Sequence, residues 1–291
     1  MTRQTATTLD CNAGSPRLGT SDLFQRLWLI LMDTAQLLFR APNSKNDEEV
    51  LDKVESYLAA LLHNGQIVGD HPPMAIVSGG YLVTVSLPET DALADRFANK
   101  WVRKGLRELA AVGVDRPKVT HLGTDPESPA PCRCRRRPFL ILFTTFIDAD
   151  SPLRCGACFG PIALYKVPAT NEAESHQDLL WWRHTYQAMD WLFIGSGPGE
   201  RFAHDQRSRF DSELSTDGRE LAKQLQRKVR VPVYYYLSKH FGRSDQAERK
   251  RRCPSCGKAW LRKEPLHRIF DFQCQRCRLL SNVAFDVRLG V

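Results

Sequence analysis

The sequence of 291 residues predicts an α+β fold in three structured parts. Strand and helix patterns alternate over residues 21–123, and four close pairs of cysteines follow in the rest of the chain. Between these regions, residues 124–131 contain three prolines and predict a stiff linker. We therefore expect an N-terminal domain, a middle region and a small C-terminal module, the last two built around their cysteines.

The N-terminal domain covers residues 21–123. Residues 1–20 are rich in Thr, Asn, Gly, Ser and Pro and indicate a disordered start. Apolar runs then predict strands, and apolar residues at helical spacing predict helices. The predicted elements are a strand at 26–32, a helix from 43 to 63 that Ser44 caps, hairpin strands at 74–78 and 81–87, a helix at 91–111 and a strand at 118–122. This order is typical of the split β-α-β arrangement of a ferredoxin-like sandwich, although residues 26–39 also fit a helix.

The middle region, residues 132–243, mixes strands and helices. Strand-like runs lie at 139–146, 162–167 and 231–237, and helical patterns lie at 171–192, 200–210 and 217–228. Residues 195–199 are rich in glycine and predict a turn between two helices, because they lack the Lys-Ser/Thr ending of a phosphate-binding loop. Tyr234, Tyr235 and Tyr236 alternate faces, so we expect an edge strand with one or two exposed rings. Residues 244–252 are highly charged and predict a basic hinge into the last module.

Two cysteine pairs near the C-terminus have the spacing of a metal site. Cys253/Cys256 and Cys274/Cys277 are both C-x2-C pairs, and seventeen residues separate them. This pattern predicts a four-cysteine zinc ribbon over residues 253–291, in which each pair forms a tight turn and offers two thiolates. The alternative is a set of inert thiols, but such thiols do not occur in paired turns.

The other two pairs are Cys132/Cys134 and Cys155/Cys158. Together they also offer four thiolates, although C-x-C is a rarer half-site than C-x2-C. A disulfide or a redox dithiol at Cys155/Cys158 is the alternative. A redox pair would open a helix, whereas Phe159-Gly160-Pro161 and a strand-like run follow here. We therefore predict that these four cysteines stabilise the middle region with zinc, and that Cys11 is a free thiol.

The sequence thus predicts two structural zinc ions and a module that depends on one of them. Cys253→Ser is expected to unfold the ribbon and to leave residues 1–240 folded, because the charged hinge separates them.

Composition limits the class of protein. Hydrophobic residues make up 42% and charged residues 25% of the chain, as in a globular protein. The longest apolar run, residues 27–32, is too short to span a bilayer, and residues 1–20 lack the apolar centre of a secretory signal. We expect a cytoplasmic protein with no membrane association, in which reduced cysteine pairs indicate metal.

The net charge of +8 is concentrated at the C-terminus. Residues 249–291 contain eleven Lys and Arg against three Asp and Glu, so they account for the whole excess. Such asymmetry points to an acidic partner for this module, with nucleic acid the first choice and an acidic protein the second. The predicted nucleic-acid contacts are Arg249, Lys250, Arg251, Arg252, Lys258, Arg262, Lys263, Arg276 and Arg278. Trp260, Phe270 and Phe272 are interpreted as the core of the ribbon rather than as base-stacking residues.

From Cys132 onward the chain resembles a bacterial family of zinc-ribbon-containing proteins with a suggested role in nucleic-acid binding. The stretches that carry the resemblance are residues 144–146, 151–161 (SPLRCGACFGP), 199–202 (GERF), 232–237 (PVYYYL), 252–257 (RCPSCG) and 271–282, about half of the chain. The resemblance implies zinc and suggests nucleic acid as the partner. An inhibitor or immunity partner of an acidic, toxin-like protein is the alternative function.

Catalysis has little support in the sequence. Glu200 and His204 lie one helical turn apart, and His184 and Asp205 lie nearby in the chain. These residues could form a catalytic or third metal site, yet they match neither an H-E-x-x-H motif nor a nucleophile elbow. We therefore predict that the protein is not an enzyme.

Overall fold

The computed structural model describes residues 31–41, 47–195 and 197–290, and it is a mixed α+β structure with two β-sheets. The predicted disordered start, most of the predicted strand at 26–32 and the Ser44 cap lie outside these residues. Within them, no helix has the length and apolar composition needed to cross a membrane.

The first sheet is antiparallel and packs on two helices. In chain order its unit contains β1 (Asp33–Arg40), α1 (Asp47–Asn64), β2 (Met74–Val77), β3 (Gly80–Leu87), α2 (Lys100–Ala111) and β4 (Lys118–Thr124). The strands lie in the order β2-β3-β1-β4. Every second residue of β1 is buried, including Ala35, Leu37 and Phe39, which pack in a core with the two helices.

One strand and one helix of this unit need comment. β1 lies at Asp33–Arg40, where inward and outward residues alternate, and the strand predicted at 26–32 falls mostly outside the described residues. The second helix begins at Lys100 rather than at residue 91, because the Asn99 side chain accepts hydrogen bonds from the amides of Trp101 and Val102 and caps it there. A short 3-10 turn at Asp95–Phe97 precedes it. The hairpin of β2 and β3 is confirmed.

The second sheet has six strands. All eight clustered cysteines lie either at the end of one of these strands or in the segments next to the strand ends. Its strands are β5 (Leu140–Leu142), β6 (Leu153–Cys155), β7 (Val233–Leu237), β8 (Leu261–Leu266), β9 (Phe270–Cys274) and β10 (Leu279–Ser281), in the spatial order β6-β5-β7-β10-β9-β8. β5, β7 and β10 run parallel, and the other strands pair antiparallel. The helices of this part are α3 (Gln177–Gly195), α4 (Glu200–Ser208), α5 (Glu213–Val229), α6 (Asp245–Arg249) and α7 (Phe285–Leu289).

The prediction of an exposed ring on Tyr234, Tyr235 or Tyr236 is wrong. All three are buried, because β7 is a central strand between β5 and β10 and both of its faces are covered. Tyr235 packs against Trp182 of α3, while Tyr234 and Tyr236 belong to an aromatic cluster on the other face. The strand predicted at 162–167 is also wrong, since a 3-10 turn lies at Leu164–Lys166.

The ribbon strands continue the sheet of the middle region. Leu279 of β10 pairs with Tyr235 of β7, and Ser281 pairs with Leu237. The segment predicted as a hinge contains α6, capped by the Ser244 hydroxyl, and its Glu248 is buried. Seven of the eight clustered cysteines belong to or pack against one core that they share with the helices, and Cys158 is exposed.

Candidate metal centres

The ribbon cysteines come together at the ends of three strands. Cys253 and Cys256 precede β8, Cys274 ends β9, and Cys277 precedes β10. Their four sulfurs lie within 4.8 Å of one another, and the Cys256 and Cys274 sulfurs are 3.7 Å apart. A tetrahedral zinc ion with Zn–S bonds of about 2.3 Å requires sulfurs about 3.8 Å apart. The cluster therefore has the size that such an ion needs.

The four cysteines of the middle region form a second cluster of the same kind. Cys132 and Cys134 precede β5, Cys155 ends β6, and Cys158 follows in the next turn. These sulfurs also lie within 4.8 Å of one another, and none of the eight is in a disulfide. Each cluster can therefore hold one metal ion.

The same backbone turn appears at all three C-x2-C pairs. The residue after the second cysteine has a positive φ in each: 62° at Phe159, 67° at Gly257 and 55° at Arg278. The amides of Phe159 and Gly257 donate to the carbonyls of Cys155 and Cys253, at 2.8 and 2.9 Å. A bulky residue with a positive φ is uncommon and is kept only where its surroundings require it. The recurrence favours one kind of metal-binding turn in both clusters, and it argues against a redox dithiol at Cys155/Cys158.

Backbone amides and one arginine point at the sulfurs. The amides of Ala157 and Cys277 lie 3.4 Å from the sulfurs of Cys155 and Cys274. The Lys258 amide lowers the pKa of Cys256 to about 7. Hydrogen bonds from Cys155, Cys158 and the Arg137 guanidinium lower the pKa of Cys132. These donors stabilise negative sulfur, which is the form that binds a metal.

Burial acts against ionisation at Cys253. It raises the pKa of this thiol to about 12, so the thiol keeps its proton until a cation replaces it. Metal affinity should therefore fall as the pH falls.

The residues predicted to contact nucleic acid fall into two groups: some are exposed without a partner in the described chain, and others interact with residues of the same chain. Five of them are exposed and pair with no carboxylate among the described residues: Lys250, Arg252, Lys258, Lys263 and Arg276. Arg249 is exposed but lies 2.7 Å from Asp245. Arg262 donates to Gln273, and Arg278 lies 3.4 Å from the Tyr234 hydroxyl.

Arg251 is a structural residue. Its guanidinium lies 4.4 Å from the centre of the Phe272 ring and donates to the Asn282 carbonyl oxygen at 2.6 Å. It also pairs with the buried Glu248 at 3.3 Å. The charge run at 249–252 gave no sign of this, because the partners come from β9 and from the end of β10.

The ribbon aromatics are core residues, as predicted. Trp260, Phe270 and Phe272 are all buried. The basic side chains of Lys258, Arg262 and Arg276 line a groove of about 360 Å³ beside them. This groove offers charge rather than exposed rings.

The residues considered for catalysis have different partners, except that His204 Nδ1 lies 3.4 Å from Asp205 Oδ1. His184 lies 2.8 Å from Asp70 of the first unit, whereas His204 is buried and its Nε2 accepts from the His240 amide at 3.4 Å. Neither belongs to a metal-capable group in the described residues. The glycine-rich segment before Glu200 joins α3 to α4, as predicted for a turn between helices.

Comparison with known proteins gives relatives without an assigned activity. Three family models, each described as a domain of unknown function, match residues 32–123 (DUF8589), 134–238 (DUF2310) and 242–287 (DUF8594). An uncharacterized protein of Haemophilus influenzae is 33% identical over 228 residues, which are 77% of this chain and 87% of that protein. A second one from the same organism is 37% identical over 146 residues, which are 50% of this chain and 71% of that protein. No solved structure matches.

Proposed function

We propose that this chain, which belongs to the uncharacterised bacterial family of the DUF2310 domain and its Haemophilus influenzae relative, is a cytoplasmic zinc protein that binds nucleic acid through its ribbon. The observation that carries the proposal is a pair of compact four-sulfur clusters, one of which lies beside a groove lined by Lys258, Arg262 and Arg276. Zinc would have a structural role at both clusters, since each set of four thiolates leaves no coordination position for water.

Four thiolates suit zinc and also iron–sulfur clusters. Elemental analysis of chelator-washed protein is expected to give two zinc ions per chain, and the visible spectrum should show no absorption from iron. A zinc content near one per chain would contradict the zinc site at Cys132/Cys134/Cys155/Cys158. A coloured protein rich in iron would contradict zinc at either cluster.

The nucleic-acid contact is supported by the distribution of charge. Lys250, Arg252, Lys258, Lys263 and Arg276 are exposed, so their charges are available to phosphates. Because the ribbon aromatics are buried, the contact is expected to depend on phosphates and to show little sequence preference.

The test is the salt dependence of binding by the full chain. If five charges meet phosphates of duplex DNA, the slope of log affinity against log salt should be about −4 to −5. Substituting these five residues by glutamine should flatten the slope and weaken all sequences alike, while zinc content stays constant. Arg103→Gln with Arg107→Gln is the control, because both are exposed on α2 in the first unit.

Binding that ignores both salt and these substitutions would contradict the proposal. An acidic protein captured through the same five residues would then be the partner. We assign no catalytic residue and propose that the protein is not an enzyme. Cleavage or modification of bound nucleic acid by the purified protein would overturn this view.

We also propose that the first unit is a ferredoxin-like sandwich. Its support is the element order β-α-β-β-α-β together with the antiparallel strand order β2-β3-β1-β4.

A further inference from the structure

The topology of the six-stranded sheet brings both cysteine clusters to one rim. β5, β7, β8 and β10 begin at this rim, and β6 and β9 end there, as their pairing directions require. We name it the cysteine rim; its segments are residues 132–139, 156–160, 228–232, 253–260 and 275–278. Four strand spacings separate β6 from β9, which gives a rim of about 19 Å between the clusters.

The cysteine rim carries one sign of charge. Its segments contain nine Lys and Arg and no Asp or Glu. Six of these side chains are exposed and form no ion pair within the described part of the chain: Arg133, Arg135, Arg136, Arg230, Lys258 and Arg276. The connections at the opposite ends of the strands carry both signs, with Asp148, Asp150 and Asp286 together with Lys239, Arg243 and Arg268. The cysteine rim is therefore the end of the sheet that carries positive charge alone.

The rim arginines from the middle region have fixed backbones. Arg133 lies between Cys132 and Cys134, whose sulfurs are part of the middle-region cluster. The Cys132 amide donates to the Pro161 carbonyl at 2.8 Å, which ties this segment to the turn after Cys158. Arg230 ends α5 with φ 58°, and its amide donates to the Gln226 carbonyl. These charges are thus presented from an ordered surface rather than from a mobile tail.

We propose that the cysteine rim is one continuous phosphate-binding surface for duplex nucleic acid, in which Arg133, Arg135, Arg136 and Arg230 extend the face that the ribbon begins. The inference rests on the proposed nucleic-acid function and assigns half of the contact to the middle region. A duplex carries one charge per about 1.7 Å of its axis when both strands are counted, so about 19 Å of duplex contains roughly eleven phosphates, and only those on the near side face the rim.

The chemistry of the rim favours a duplex over a single strand. Single strands are bound by stacking bases on exposed aromatic rings. The rim aromatics are occupied: Phe139 packs against Tyr234 with ring centres 5.1 Å apart, Phe159 stacks on His267 at 5.0 Å, and Trp260 is buried. The surface therefore offers guanidinium and ammonium groups to a regular array of phosphates.

The test compares two fourfold variants of the full chain that lose the same charge. The rim variant carries Arg133→Gln, Arg135→Gln, Arg136→Gln and Arg230→Gln. The control variant carries Arg40→Gln, Arg103→Gln, Arg107→Gln and Lys118→Gln, all exposed in the first unit. Arg137 stays unchanged because it donates to the Cys132 sulfur.

Binding to a 20-base-pair duplex and to the matching single strand is measured from 50 to 200 mM salt. If the five ribbon charges and the four rim arginines all meet phosphates, the wild-type slope should be about −8 rather than about −4 to −5. The rim variant should lose about 3 to 4 units of that slope, so that wild type loses about 100-fold more affinity than the variant over this range. The control variant should keep the wild-type slope, and metal content should be the same in all three proteins.

A rim variant with the wild-type slope, beside a ribbon variant that loses affinity, would overturn this inference and leave the ribbon function intact. A wild-type protein that binds no nucleic acid would overturn both, and a preference for the single strand would overturn the duplex assignment. Arginine modification of the wild type gives a measurement that does not depend on variant folding. Bound duplex should protect Arg133, Arg135, Arg136 and Arg230 from the reagent, and their full reactivity in the complex would refute the proposal.

Discussion

The ribbon and the middle region are expected to unfold together when the ribbon cluster loses a ligand. Cys274 ends β9, and Cys274→Ser removes one of the four sulfurs. β9 pairs with β10, and β10 pairs with β7 at the centre of the sheet. The charged segment at 244–252 had suggested independent unfolding, so the two expectations can be separated by experiment.

The buried surface of the ribbon strands gives the magnitude. Phe270, Phe272, Leu279 and Leu280 are all 0% exposed. Burial of each such side chain contributes roughly 1.5–3 kcal/mol, so about 6–12 kcal/mol depends on these strands remaining in the sheet. Structural zinc contributes roughly 10–16 kcal/mol in zinc-finger peptides. Either quantity equals the whole stability of a typical domain, about 5–15 kcal/mol.

Hydrogen exchange of backbone amides is the assay. In Cys274→Ser, peptides that contain β5 and β7 should exchange as fast as ribbon peptides, while residues 33–124 keep their protection through their own core. The control is Ser255→Ala, an exposed residue of the first ribbon turn that offers no sulfur. Protected β5 and β7 amides beside a fully exchanged ribbon would refute the reasoning.

Three further predictions concern stability. Gly218→Ala should lower the free energy of unfolding by about 1–3 kcal/mol in a denaturant titration, because the added Cβ would lie 2.2 Å from the Tyr235 ring and 2.5 Å from Trp182. In the control Gly195→Ala the added Cβ has no neighbour within 4 Å, so the change should be neutral or stabilising, and equal effects at the two sites would contradict the packing argument. Arg251→Ala should cost about 3 kcal/mol, because Glu248 is left buried without its partner, whereas exposed Arg252→Ala should change thermal stability little; similar losses would show that Arg251 is not structural. Burial lowers the pKa of His176 to about 4. Between pH 6.5 and pH 4 the imidazole is therefore protonated in the unfolded state but neutral in the folded state, and up to about 3 kcal/mol of stability is lost as the pH falls through this range. His176→Gln should remove this part of the pH dependence in denaturant titrations at pH 7 and 4.5, and an unchanged difference would exclude His176 as its source.

The sequence was most informative where the relevant residues are close together in the chain. C-x2-C turns, the hairpin of β2 and β3 and the helices are set by residues two to five positions apart, so spacing alone predicted them. Spacing predicted the helix boundaries less well. The apolar pattern predicted a helix from residue 91, whereas the hydrogen bonds that the Asn99 side chain accepts start the helix at Lys100.

The amino-acid sequence by itself determined which cysteines occur as pairs and that the excess positive charge lies in residues 249–291. Only the tertiary structure decided how strands distant in the chain are ordered. That order buries Tyr234, Tyr235 and Tyr236 in a central strand, engages Arg251 with partners from β9 and the end of β10, and brings Arg133 and Arg276 to the same rim. The physical reason is that the parallel pairs β5–β7 and β7–β10 join residues about 93 and about 44 positions apart in the chain, and no local periodicity records such pairing.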